Sequence, residues 1–476
     1  MSLSQEVTAL RKDGRIEEAY AKGYEFLEAN PNDEYLKTAV GWVLYEKVKG
    51  IVSQAKHASF SDKTSSETLR NILRMYAKLK LPRPDLLFSL LLSQVIQFPL
   101  EELAFFPKFM MWAGIDSFRP EDFCEQTTDN GKRYESLVEK TARAVGKISR
   151  GLTKEDFFDI REVQTFAVHL IDFAVSEASL QKPELLDYHK ALLLHSLGEL
   201  EQAKETLLPF VRKKRNEFWA WQALADVVAE ISPDEATNLY VKACLSCRDE
   251  AFAVNVFESL SSLAVSQNKF SLSKWAAYKA FQIRDQKGWS ISPSLSRLLE
   301  SAWYSDDSIP SLTEDALERM ALDAERFIQI GLPVYDANYI GSFTNKKGRR
   351  ITKFGAVIDN VPQELTTAKK TPHMDRPDTL GCPVKLTVDS NQKHLHIIAV
   401  TQRPSGTPFD SMQRRSGQFR LHPRGFGFIG DVYIPHEIAD QIEDGHHASV
   451  AVVRKRDKKK NQWGLTAIAI VEQPAK

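Results

Sequence analysis

Apolar residues recur at helical spacing through the first two-thirds of this chain, then switch to the alternation of strands. Leu69, Ile72, Leu73, Tyr76 and Leu79 lie on one helix face. Leu317, Met320, Ala321, Ala324, Phe327 and Ile328 form a second stripe, which predicts the closing helix of the helical part. Ser311-Leu-Thr-Glu314 fits a capping box that would start it, and Gly331 with Pro333 would stop it. The most apolar run, Leu86–Leu100, spans about 15 residues, carries Ser and Gln, and includes Pro99. It is too short and mixed to cross a bilayer, so a buried helix is expected. After Tyr335 short strands are expected at Gly341–Phe343, Lys353–Ile358, Val361-Pro362, Val384–Val388 and His394–Val400. The same order returns from Gly417 to Val471.

The helical part carries internal repeats. Gly14-Arg-Ile-Glu-Glu-Ala19 is followed by Phe26 and Pro31, and Val40-Gly41 with Leu44 suit the next helix. A second copy holds Tyr188, Ala191, Leu194, Gly198 and Ala203. A third holds Trp221, Leu224, Ala225, Ala236, Tyr240 and Ala243, and a fourth runs from Val254 to Ala280 with Asn268 in place of the turn glycine. The pattern of a small residue ending one helix, an alanine inside the next and a closing proline resembles tetratricopeptide repeats. That resemblance implies a solenoid over residues 1–334 presenting a groove to a protein partner. Residues 51–185 do not fit the repeat. Irregular helical pairs within one solenoid are expected there, the alternative being a separate helical subdomain, with a break at the loop Gln126–Lys132 around Asn130-Gly131.

The stretch with most chemical content is Arg424–Pro435, R-G-F-G-F-I-G-D-V-Y-I-P. It reads as two strands joined by a two-residue turn at Gly430-Asp431. That register sets Ile429 opposite Val432 and Phe428 opposite Tyr433. Alternation puts Phe426, Phe428 and Tyr433 on one face and Ile429, Val432 and Ile434 on the other. Aliphatic residues then fill a core from one side, while three rings stand on the opposite side. Bases stack on such rings whatever their sequence, at roughly 1–3 kcal/mol per base.

Arg424–Ile429 resembles the first ribonucleoprotein motif of cold-shock domains, and Asp431–Ile434 the second. Gly417–Phe419 matches their first strand; Ala448–Val453 and Gly464–Val471 match the last two strands of a five-stranded OB barrel. A short helix over His436–Asp444 is closer to the cold-shock modules of ribonuclease R-type exonucleases. The turn between the motifs is shorter than in cold-shock proteins, and Pro435 stands where they carry a stacking histidine, with His436 next to it. The resemblance covers about 60 of the 476 residues. It implies binding of single-stranded nucleic acid, RNA before DNA, by a barrel over residues 414–476. Phe426, Phe428 and Tyr433 would stack bases. Phe419, Arg420, His422, Arg424 and His436 lie on or beside the same strands and would frame the groove. The aspartate cluster with which those exonucleases hold magnesium has no counterpart here, so the resemblance implies binding without cleavage.

Residues 335–403 read as a first, degenerate OB barrel, with Gln402–Gln413 as linker. Aligning the two copies sets Phe354 against Phe426 but Ala356 against Phe428, and nothing answers Tyr433. One ring makes no stacking platform, so this copy is expected to extend the surface or to contact protein. Its Lys346-Lys-Gly-Arg-Arg350 fits either a phosphate contact or a solvated hairpin tip.

Charge sharpens this division. The chain has 63 Lys+Arg and 63 Asp+Glu, yet residues 335–476 hold 22 of the former against 14 of the latter, leaving 41 against 49 in the first 334. The positive end is the end with the aromatic motif. A basic cluster, Arg454, Lys455, Arg456, Lys458, Lys459 and Lys460, falls between the last two strands of the second barrel, where OB folds close over a strand. These side chains would neutralise phosphates and make binding salt-dependent; a solvated hairpin tip is the alternative reading of the run.

Other chemistry is sparse. Cys244-Leu-Ser-Cys247 has metal-like spacing without a second pair, and His394-Leu-His396 and His446-His447 have no evident third ligand. No P-loop, G-x-S-x-G or zincin helix occurs. No metal, cofactor or small-molecule substrate is therefore expected. M-S-L-S-Q-E-V has neither a basic n-region nor an apolar h-region, and four cysteines in this length suit a reducing, cytoplasmic setting without a membrane. The expected fold is a multidomain α + β chain: an all-α helical-repeat solenoid, then two small all-β OB/cold-shock-like barrels. The expected function is a non-enzymatic, nucleic-acid-binding adaptor; the alternative is a scaffold whose barrels dock proteins.

Overall fold

The computed structural model describes residues 2–57, 63–127, 130–153, 159–368, 379–390, 395–457 and 461–472. The chain forms two compact units, Met1–Ala324 and Glu325–Lys476.

The first unit is helical and built mainly from helix hairpins packed on their neighbours in sequence. The pairs are Leu3–Lys12 with Ile16–Ala29, Pro183–Ser196 with Leu200–Lys213, Phe218–Ala229 with Pro233–Ser246, and Val254–Ser266 with Phe270–Lys287. Three of these turns share one device. Gly14, Gly198 and Asn268 all take positive φ. In each case the next amide reaches back five residues, from Arg15 to Leu10, Glu199 to Leu194 and Lys269 to Ala264, at 2.9–3.0 Å. Glycine visits this left-handed region freely and asparagine tolerates it, which explains why Asn268 replaces glycine. The repeat alanines Ala19, Ala203 and Ala236 are fully buried where two helices approach closely.

Residues 51–185 are also helical, with Lys63–Leu79, Leu86–Val95, Phe106–Ala113, Leu137–Arg150 and Ile160–Glu177. The apolar run forms the short helix Leu86–Val95, capped by Asp85 and buried through Leu87, Phe88, Leu91, Leu92 and Val95. The expected break is a two-residue ladder, β1 (Gln126–Thr127) on β2 (Arg133–Tyr134). The stripe near residue 320 forms the helix Glu314–Phe327. Its N-terminal side-chain cap is Thr313, whose hydroxyl accepts from the Ala316 amide at 3.3 Å, and not Ser311 as the capping-box pattern suggested. Among the described residues no helix is long and apolar enough to cross a membrane.

His189 gives this unit a pH dependence. It is buried against Gly146, and its Nδ1 has no hydrogen-bond partner among the described residues. Burial, reinforced by Arg150, Arg143 and Lys147, lowers its pKa from 6.5 to about 3. Below pH 6.5 the unfolded chain takes up a proton that the folded one refuses, so stability falls with pH until about pH 3. Urea melts followed by helical circular dichroism should show a loss of about 2 kcal/mol by about pH 5, and His189→Asn should flatten that slope.

The second unit holds two five-stranded modules. The first comprises β3 (Val334–Thr344), β4 (Arg350–Ile358), β5 (Val361–Thr367), β6 (Pro383–Asp389) and β7 (His396–Gln402). Its hydrogen-bonded order is β5-β4-β3-β6-β7, around a core of Tyr339, Phe354, Ile358, Leu386 and Val388. Phe354 and Ala356 both face this core, so the ring that alignment with Phe426 placed outward is buried. The Lys346–Arg350 cluster forms an exposed hairpin tip. The second module comprises β8 (Gln413–Leu421), β9 (Gly427–Ile429), β10 (Val432–Ile434), β11 (His447–Asp457) and β12 (Gln462–Glu472). It closes as β8-β9-β10-β12-β11-β8, with β10 and β12 parallel, which is the OB arrangement.

The modules are joined within this unit. Residues between β7 and β8 are clamped by Arg403, which pairs with Asp336 and Asp410, and by buried Asn338, which accepts from the Ser411 amide at 3.0 Å. Ile340, Phe409, Met412, Ala451 and Val453 form a shared apolar cluster. Gly355 makes room for it, since a Cβ there would fall 2.2 Å from the Met412 sulfur. β5 meets β11 at the parallel bridge Gln363–Arg454.

Candidate nucleic-acid interface

The hairpin β9–β10 sets the site's geometry. Gly430 has φ +59, and Ile429 pairs with Val432, Phe428 with Tyr433 and Gly427 with Ile434. A glycine at the first central position is what a type II′ turn requires. Alternation then separates the faces. Ile429, Val432 and Ile434 point inward with Ala448, Val450 and Val452, while Phe428 and Tyr433 stand outward, 40% and 36% exposed.

Five rings gather on the outer face. Phe426 stacks on His422 at 4.2 Å and 10°, and lies 5.7 Å from Phe428, 5.4 Å from Tyr433 and 6.2 Å from His436. Phe428 and Tyr433 are 6.0 Å apart. His422 is set by the turn into β9, where its carbonyl accepts from the Gly425 amide and its Nδ1 from the Arg424 amide. His436 begins the single-turn helix His436–Ala439, which buries Ile438 and Ala439. Gly425 takes φ +82, and a Cβ there would lie 2.7 Å from His436 Nδ1. Its absence lets the imidazole lie over the turn. Arg420 pairs across the ladder with Phe428 and is exposed, as is Arg424.

Phe419 corrects the sequence reading. It pairs with Ile429, faces the core and is 0% exposed, so no base can stack on it. A Cβ on Gly427 would lie 2.1 Å from its ring. The glycine between the two outward phenylalanines thus serves the inward one.

The basic cluster is divided. The Arg454 guanidinium lies 5.2 Å from the centre of the Trp463 ring. Lys455 pairs with Glu364 of β5 at 3.3 Å, which ties the modules together. Arg456 donates to the Asn461 side chain, bracing the hairpin end. Lys458, Lys459 and Lys460 lie outside the described residues. Trp463 is the residue sequence reasoning missed. Its signal was a lone tryptophan shortly after the basic run.

His394 lies outside the described residues, and His446 pairs with Glu443. Cys244 and Cys247 are free, with both thiols pushed up by burial, which disfavours the thiolate that metals need.

A closed OB barrel with an outward aromatic cluster and an aliphatic core defines a cold-shock/OB-like domain. Residues 413–470 match the family model for S1/CSD-like domain 2 of the TOTE conflict systems. Residues 184–324 match a domain family of unknown function, DUF7017. A search of curated proteins found no match. The C-terminal match makes nucleic acid the indicated class of ligand for this domain.

Proposed function

We propose that this protein is a non-enzymatic adaptor that binds single-stranded nucleic acid, RNA before DNA, and engages a protein partner through its helical repeats. One observation carries the reading: Phe426, Phe428 and Tyr433 form a contiguous outward cluster, flanked by His422, His436 and Arg420, on a barrel whose core is complete without them. Stacking on such a cluster is tolerant of sequence, and the adjacent arginines add phosphate attraction. The similarity of residues 413–470 to a domain of conflict systems supports a role for the chain in a system of that kind.

The test is binding of the full chain to labelled single-stranded RNA, single-stranded DNA and duplex at two salt concentrations. Single strands should bind, and the logarithm of affinity should fall with that of salt by roughly 0.7 per neutralised phosphate. Absence of binding to either single strand would overturn the reading and favour a protein scaffold.

A further inference from the structure

Beyond the aromatic face, a groove of about 450 Å³ opens at the seam of the two modules. Its walls come from both. Asn360 of the β4–β5 turn and Pro362 of β5 belong to the first; Gln413, Arg415, Arg454 and Trp463 belong to the second. We infer that this groove is a second nucleotide subsite, taking a base on Trp463 and its phosphate on Arg415 and Arg454; this rests on the nucleic-acid reading above.

Four observations support it. Trp463 is 57% exposed although Arg454 lies over its ring, so a flat surface remains uncovered beside a cation. Tryptophan with an adjacent guanidinium suits a base carrying a phosphate, through stacking and charge. The walls also carry hydrogen-bonding groups for base edges, the Asn360 and Gln413 amides. Gln413 keeps a buried Oε1 acceptor with no partner among the described residues. Finally, the groove adjoins the aromatic face. Asp431, at the tip of the hairpin carrying Phe428 and Tyr433, is part of its lining. A strand leaving those rings over the tip arrives between Trp463 and the first module.

The walls are held in place. Asp359 and Asn360 both have positive φ, 50° and 62°, as in the tight I′ hairpin turn. Glu364 receives Lys353 from its own module and Lys455 from the other, at 3.2 and 3.3 Å. The first module thereby acquires a role: it completes the groove. Two arginines against one aspartate favour an anionic ligand over a basic peptide, and the exposed Trp463 ring beside them favours one that carries flat bases.

The experiment measures anisotropy of the full chain with labelled oligouridylate and oligothymidylate, each of about four and about twelve nucleotides. Trp463→Ala should weaken the longer oligonucleotides about 5- to 160-fold and spare the shorter. Arg415→Gln should act in the same direction with a smaller salt slope, while Trp463→Phe should retain most of the affinity. Phe428→Ala should weaken both lengths. If Phe428→Ala weakens both but Trp463→Ala weakens neither, the seam subsite is overturned and the aromatic face stands. An equal loss at both lengths on Trp463→Ala also overturns a separate subsite. If the unaltered chain binds no oligonucleotide, the nucleic-acid reading itself fails.

Discussion

Replacing Phe428 and Tyr433 together with alanine should lower affinity for single-stranded RNA by roughly 30-fold at least, and by about 25,000-fold at most, while leaving the barrel folded. The range follows from roughly 1–3 kcal/mol per stacked base. The two rings touch at 6.0 Å, so the double variant need not equal the sum of its parts. The barrel should survive because both rings lie outside the core of Ile429, Val432, Ile434 and Val450. Titration by anisotropy and thermal melting of the same sample give both readouts. Unaltered affinity, or collapse of the fold, would show that these rings serve something other than a bound strand.

Phe419→Ala should do the reverse. Its ring is fully buried one strand away from Phe428, in the space that Gly427 leaves by having no Cβ. Removing a buried phenylalanine ring leaves a cavity and costs about 3–5 kcal/mol. Domains of this kind are stable by only about 5–15 kcal/mol, so the barrel would lose much of its margin. The urea midpoint of the C-terminal unit should fall sharply, while affinity measured where the variant is still folded should change little. A variant that melts normally but fails to bind would return Phe419 to the binding surface.

These two phenylalanines show where sequence reading succeeds and where it stops. Alternation from a turn that glycine and aspartate announce assigns Phe428 its face, and the hairpin has that register. Membership of the matching first strand groups Phe419 with the binding residues. Its side is decided by pairing with Ile429, a contact across strands that no local pattern specifies. The same limit explains Phe354, which local alignment places as a surface ring and the first module's core absorbs. His436 can be named from sequence. Its approach to Phe426, however, depends on the space that Gly425 leaves at the turn by having no Cβ.

The amino-acid sequence alone determined the helical and strand-rich parts, the repeat turns at Gly198 and Asn268, and the aromatic hairpin. Each rests on periodicity or backbone conformation, which act over a few residues. Only the tertiary structure decided which partners the described residues of the basic run take. Lys455 is drawn to Glu364 of the other module, Arg456 to Asn461, and Arg454 to Trp463. Asn461 and Trp463 come from the same hairpin, while the partner of Lys455 is a group brought near it from another part of the chain. The seam groove exists for the same reason, since its walls meet only when both modules have folded and packed.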